Sequence, residues 1–424
     1  MQPMTRQRLR PGKAAVATTL ALLVAALAGC AGDSPDAGGD GAGGCVSPGV
    51  TADTIRIGLL YPDSGAVVGG FQATPSAVAA RIEAANAAGG VNGREIVIDW
   101  RDDQGAPDVF SLAARDLLDE SDGQAVFALL AQTIALNPAS FDWLAKAGVP
   151  VVGVATSAEW SNYANAFHFG NLFNKAQPVT TYGRFAKAQG ASKVFVLTDQ
   201  QVQASASLAL QLGPSLQSQG IQVVGTLDIT QGISSPARVA DAIRDSGADG
   251  VIGTIRASSF YELYPLLRPL RLKLAMNATG YDPDLLRTQG QALAGLTVSV
   301  LYSAFGTEAM NTYLRNADTY APELIHPQDD LALAGYVAAD EMLLGLNLAG
   351  DCPTREQFVE NLRQVPDYTA GGLIPPNDLS RPTDPARCFN FVQVSPSGDQ
   401  WQVIADPARS DGFWCGDVIA TTTG

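Results

Sequence analysis

Two doubly wound α/β lobes, each on a parallel sheet, are the fold this sequence predicts. Short apolar segments alternate with helical segments along nearly the whole chain. The alternation forms two series of four or more units, separated by turns rich in Gly, Pro and Asn. Strands that alternate with helices at this spacing build βαβ units, and hence parallel sheets.

In the first series, Ile55-Arg56-Ile57-Gly58-Leu59-Leu60 reads as a buried strand ended by Tyr61-Pro62-Asp63-Ser64-Gly65. Residues 75–88 are Ala-rich, and Pro75 suits a first helical turn. After the turn Gly89-Gly90-Val91-Asn92-Gly93, Ile96 to Trp100 is the next strand. Phe110, Ala113, Ala114, Leu117 and Leu118 recur at helical spacing. Ala125 to Leu130 is a strand, a helix runs through Trp143 to Lys146, and Val149 to Val154 is a strand again.

The second series starts after Gln177. Helices are expected at Val179 to Ala188, Ala204 to Gln217, Pro236 to Asp245 and Phe260 to Leu267. Strands are expected at Lys193 to Leu197, Val223 to Ile229, Val251 to Ile255, Leu272 to Met276 and Gly295 to Tyr302. Helices over about 308–319, 329–348 and 354–364 follow. The tail reads as a hairpin, Phe389 to Val394 and Trp401 to Ile404, around Ser395-Pro396-Ser397-Gly398. Ligands of open α/β sheets gather where loops leave the C-terminal strand ends, so two such lobes predict a cleft between them.

The N-terminus predicts where the protein works. Arg6, Arg8, Arg10 and Lys13 precede about 15 mostly apolar residues, Ala14 to Ala28, too short for a membrane span. Leu27-Ala28-Gly29-Cys30 resembles a bacterial lipobox, which implies a signal peptide over 1–29, a lipid on Cys30 and anchorage on the outer face of the cytoplasmic membrane. Residues 30–52 read as a tether, since 31–44 contain nothing that packs. Gly39, Gly41 and Gly44 match a dinucleotide fingerprint by accident, with no strand before them. No apolar run after residue 30 is expected to approach 18 residues, so no transmembrane helix is expected.

The chain carries a net charge of −15, which becomes −19 without the basic leader, and this argues against nucleic acid as a partner. Beside Cys30 there are four cysteines, Cys45, Cys352, Cys388 and Cys415, which in an exported protein predict two disulfides with three possible connectivities. None shows metal-ligand spacing, so no metal or other cofactor is expected. With two histidines, His168 and His326, no GxSxG elbow and no P-loop lysine, an enzyme is not expected.

From about Asp53 onward the chain resembles the type I periplasmic binding proteins of the leucine/isoleucine/valine type, solute receptors of ABC importers. The resemblance rests on Ile55 to Gly58 followed by Ser64-Gly65, and on the helix-turn stretch from Ala84 to Arg94. It rests also on Asp102-Asp103-Gln104, on Gly148 to Val152 leading to Ala155-Thr156-Ser157, and on Gly190 to Val194. It implies two lobes joined by three hinge crossings, near 172–178, 300–306 and 377–388, with lobe 1 at 53–175 plus 305–378 and lobe 2 at 176–304 plus 385–418.

It further implies capture of an amino acid or similar small polar solute, delivered by a monomer to an ABC permease. An alternative is a lipoprotein sensor that signals to a membrane partner. Family members hold the ligand with backbone groups and hydroxyls, at positions matching Gln132, Thr133, Ala155, Thr156 and Ser157. Tyr61, Ser64 and Phe71 on the first loops, and Gln200, Arg256 and Tyr281 in the second lobe, complete the candidate set. Two stretches depart from the family pattern: Asp199 to Ala204 stands where a Tyr-Gly pair is common, and Asn277 to Asp282 lacks the glutamate of amino-acid binders.

Overall fold

The computed structural model describes residues 45–420 except 46, 120, 122, 170–176 and 231–234. The leader, Cys30, most of the tether and most of the first expected hinge lie outside the described residues.

The first lobe is built on β1 (Thr54–Tyr61), β2 (Glu95–Asp102), β3 (Ala128–Ala131), β4 (Val151–Gly153) and β5 (Ala166–Phe167). Their order is β2-β1-β3-β4-β5 and every pair is parallel. The connecting helices are α1 (Val68–Phe71), α2 (Thr74–Ala87), α3 (Pro107–Leu117) and α4 (Pro138–Lys146). Pro107 and Pro138 sit in first turns, where a missing N–H costs nothing. The side chain of Asn137 accepts from the Ser140 N–H and caps α4.

The second lobe repeats the plan. It carries α5 (Thr181–Ala188), β6 (Lys193–Thr198), α6 (Gln203–Gln217), β7 (Gln222–Asp228), α7 (Pro236–Asp245), β8 (Gly250–Thr254), α8 (Ala257–Leu267), β9 (Leu274–Asn277), α9 (Leu286–Leu293) and β10 (Thr297–Val300). The order β7-β6-β8-β9-β10 matches that of the first sheet. The chain then returns to the first lobe with α10 (Glu308–Tyr320), α11 (Asp330–Leu348) and α12 (Arg355–Leu362). Helix α11 packs on α2 and β4.

The tail crosses back as β11 (Cys388–Val394), β12 (Trp401–Val403) and β13 (Trp414–Cys415). The expected hairpin forms and extends the second sheet, with β11 antiparallel to β10, β12 and β13. The second sheet is therefore parallel only through β10. Cys45 is bonded to Cys352 and Cys388 to Cys415.

Helix α11 corrects one expectation. Its 19 residues are long and apolar enough to cross a membrane, yet most of the helix is buried inside the protein. It is apolar on all sides because α2 covers one face and β4 the other.

Candidate functional site

Both sheets reverse their winding between the first and third strands of their own series, so loops leaving β1, β3, β6 and β8 border a switch point. Asn277, at the end of β9, knits two of the second-lobe loops together: its amide donates to the carbonyls of Ile255 and Thr279, both at 3.0 Å. Gly280 follows at φ +111°, and a Cβ there would lie 2.1 Å from the Tyr261 hydroxyl oxygen. The same hydroxyl donates to the Gly280 carbonyl. Only glycine fits that turn.

A crevice of about 240 Å³ lies between the lobes. Val154 and Ala155 after β4 and the first turn of α11 border it from lobe 1; Ala278 to Tyr281 after β9 and the end of β10 border it from lobe 2. Tyr281 is buried, and its hydroxyl accepts a 2.7 Å bond from the Phe305 N–H on the second crossing. Its ring meets Phe305 at 5.0 Å and Trp401 edge-on at 5.3 Å. Across the crevice the Tyr302 hydroxyl donates to Asp330 Oδ1 at 2.5 Å. The protein surrounding Asp330 raises its carboxyl above the usual range, and the Tyr302 bond opposes that shift. Burial, with the Asp330 charge adding to it, pushes the Tyr302 phenol well upward.

Of the residues expected from sequence, Ala155 and Tyr281 border this crevice. Tyr61 ends β1, its hydroxyl donating to Asp63 at 3.3 Å; burial and then the Asp63 charge raise its pKa to about 12. Ser64 donates to Asp102 Oδ2 at 2.5 Å, while Asp102 Oδ1 accepts the N–H groups of Asp63, Ser64 and Gln104. Burial opposes ionisation of Asp102, yet these bonds outweigh it and lower its pKa. Ser64 thus ties the β1 loop to the β2 loop. Phe71 is buried at the end of α1.

Gln132 and Thr133 are fully buried. The Thr133 hydroxyl accepts from the Ala135 N–H at 3.0 Å, and both amide atoms of Gln132 lack a hydrogen-bond partner. Thr156 is half-buried and donates to the Thr133 carbonyl at 3.4 Å, while Ser157 bonds the Glu159 carboxylate. Gln200 is exposed, its amide 3.3 Å from the Thr198 hydroxyl. Arg256 is exposed at the start of α8. None of these residues lines the 240 Å³ crevice.

The sequence did not single out Tyr302, Asp330, Tyr182 or Phe389, all of which line it. They come from the second crossing, a helix start, α5 and β11. Asp329-Asp330 before a long apolar run signals a helix N-terminus, and that signal says nothing about which lobe faces it. A second cavity, of about 320 Å³, lies at the third crossing. Its Arg381 and Arg409 are paired with Asp384 and Asp411, and its Arg363 is bound to backbone carbonyls.

Comparison with known proteins agrees with this architecture. A structure of a putative branched-chain amino acid ABC transporter protein from Rhodospirillum rubrum matches with a TM-score of 0.69 and 18% identity, covering 83% of this chain and 100% of its own. A branched-chain amino acid substrate-binding protein from Streptococcus pneumoniae, in complex with isoleucine, matches at 0.59 and 14%, covering 83% and 99%. A solute-binding protein from R. palustris in complex with benzoate matches at 0.60 and 15%, covering 87% and 98%. At these identities the likeness speaks for the fold. No curated protein matches the sequence. A family described as periplasmic binding protein matches residues 54–400, and the chain belongs to that family.

Proposed function

We propose that this protein is the solute-binding lipoprotein of an ABC importer, capturing an amino acid or similar small polar molecule and delivering it to a membrane permease. The carrying observation is that two lobes of the same strand order border one crevice with loops from the C-terminal ends of their strands. A solute touching both lobes stabilises the closed arrangement by its differential contacts. The lobes, 53–175 plus 305–378 and 176–304 plus 385–418, would rotate about crossings near 172–178, 300–306 and 377–388. The candidate loop residues, from Tyr61 and Thr156 to Gln200 and Arg256, would complete the closed site. Cys30 would carry the lipid, and a monomer would dock on the permease.

The test is a thermal-shift screen over amino acids, amides, short carboxylates and aromatic acids, followed by small-angle scattering. A true solute raises the melting temperature with concentration and shrinks the radius of gyration. Binding without compaction would sink the hinge mechanism, and no binding from any class would sink solute capture.

A further inference from the structure

The crevice has aromatic walls and one carboxylate, Asp330, with no lysine or arginine lining it. Tyr182, Tyr281, Tyr302, Phe169 and Phe389 all border the 240 Å³ space. Tyr281 and Tyr302 lie 6.4 Å apart, ring to ring, and Tyr302 leads directly to the Asp330 carboxylate. A shallower recess of about 430 Å³ shares Gly280, Tyr281 and Asp330 with the crevice and adds Asp282, Asp284 and Asp329. No lysine or arginine lines either space among the described residues, and His326 is the one basic side chain at the mouth.

The N-terminal end of α11 could have attracted an anion. Its positive dipole is instead met by Asp329 and Asp330, its own cap and first residue. Among the described residues Asp330 accepts from Tyr302 through Oδ1, and no donor reaches its other oxygen. Aromatic faces attract cations, most strongly where water is excluded. A carboxylate in the crevice would meet Asp330, with Asp282 and Asp329 on the adjoining recess and Asp284 there already paired with Arg287.

We propose that the crevice selects an organic ammonium ion with an apolar body, a protonated or quaternary amine, with Asp330, Tyr281 and Tyr302 setting that specificity. The proposal rests on the solute-capture reading above and narrows it: an ammonium group is required, a carboxylate is not.

The experiment is titration calorimetry on the full chain from residue 30, with Cys30→Ser, at pH 7. The probes are benzyltrimethylammonium, phenethylamine, the neutral 3-phenylpropanol and the anionic 3-phenylpropionate. Both cations are expected to bind at least tenfold more tightly than the alcohol, and the carboxylate more weakly still. Asp330→Asn keeps the shape and the Tyr302 bond, and should weaken both cations at least tenfold while leaving the alcohol within twofold. Asp329→Asn, at a residue that lines the recess and not the crevice, should give a smaller loss of the same sign.

A carboxylate that binds as tightly as the amines, or amine affinity indifferent to Asp330→Asn, overturns the proposal. If leucine or benzoate compacts the protein and Asp330→Asn leaves that unchanged, solute capture stands and the ammonium assignment falls. If neither the four probes nor any amino acid or acid binds, solute capture itself falls.

Discussion

The two lobes share one strand order and finish their sheets in different ways. In the second lobe, β10 is followed by the antiparallel strand β11, with β12 beyond it and β13 alongside. Aromatic rings fill the space beneath: Phe185 stacks on Phe391 at 3.7 Å and meets Trp414 edge-on at 5.3 Å. In the first lobe the sheet ends at β5, two residues long, and one arginine covers its edge. Arg363 of the α12 C-terminus donates to the carbonyls of Tyr163, Ala164 and Ala166 and lies 4.0 Å over the Phe167 ring.

An unpaired edge invites association, and proteins cover it with a strand or with charge. The first lobe's solution places a guanidinium in the interior. Burial lowers the Arg363 pKa to about 10. Burial also raises that of Glu341, fully buried on α11, to about 8, against the opposing charge of Arg363. His168, in the same region, is pushed down to about 4 by burial and then by the Arg363 charge. One sheet edge rests on packing and the other on electrostatics, so they should respond differently to mutation and to pH.

The largest difference should come from Arg363→Met. It strips donors from the carbonyls of Tyr163, Ala164, Ala166 and Leu379, and since each buried acceptor left without a donor costs about 1–3 kcal/mol, a loss of about 3–5 kcal/mol is expected in denaturant unfolding. Arg363→Lys, which keeps the charge but cannot reach all four carbonyls, should recover only part of it; full recovery would mean that the charge and not the carbonyl bonds matters.

Next comes pH dependence. The folded pKa of Glu341, about 8, lies above its ordinary value of 4.5. The unfolded chain therefore sheds a proton that the folded one keeps, and stability falls as pH rises between those values, by about 1.4 kcal/mol per unit. Glu341→Gln should flatten that slope and stabilise the protein at pH 8. His168 acts oppositely: its folded value of about 4 lies below the ordinary 6.5, so stability falls as pH drops through that window. Melting curves from pH 4 to 9 separate the two, and an unchanged alkaline slope in Glu341→Gln would remove Glu341 as its source.

In the second lobe, Cys388→Ser with Cys415→Ser opens a link across 27 residues and should cost about 2–4 kcal/mol. The loss should not vary with pH between 5 and 8; a pH-dependent loss would contradict the packing account. The smallest effect belongs to Ser64→Ala, which removes one bond to a largely exposed carboxylate, at a cost of about 1 kcal/mol or less. Chemical unfolding compared with wild type checks it.

Periodicity made most long elements visible. Residues 236–245 and the strand starting at Lys193 fold where turn residues and apolar runs place them. Helix α9 went unseen because it is polar, and its Gly290 touches the backbone of Gly398, the hairpin turn, where a Cβ would lie 1.7 Å from the carbonyl oxygen. That contact exists only once the tail has folded back. The strand expected from Ala125 joins the ladder only at Ala128, because Arg355 binds the carbonyls of Val126 and Phe127. The candidate loops were legible from position after a strand. The crevice walls were not, since Tyr302 and Asp330 are 28 residues apart and meet only through lobe docking.

By itself the sequence determined that this is a two-series α/β chain with a lipobox-like leader, four further cysteines and an acidic surface, because apolar period, turn chemistry and charge are local properties. The tertiary structure decided the cysteine pairing, the tail's place in the second sheet, the arginine that closes the first, and which aromatic rings share a crevice with a carboxylate. These depend on contacts between residues far apart in the chain, whose burial and charge have no signature until the lobes are assembled.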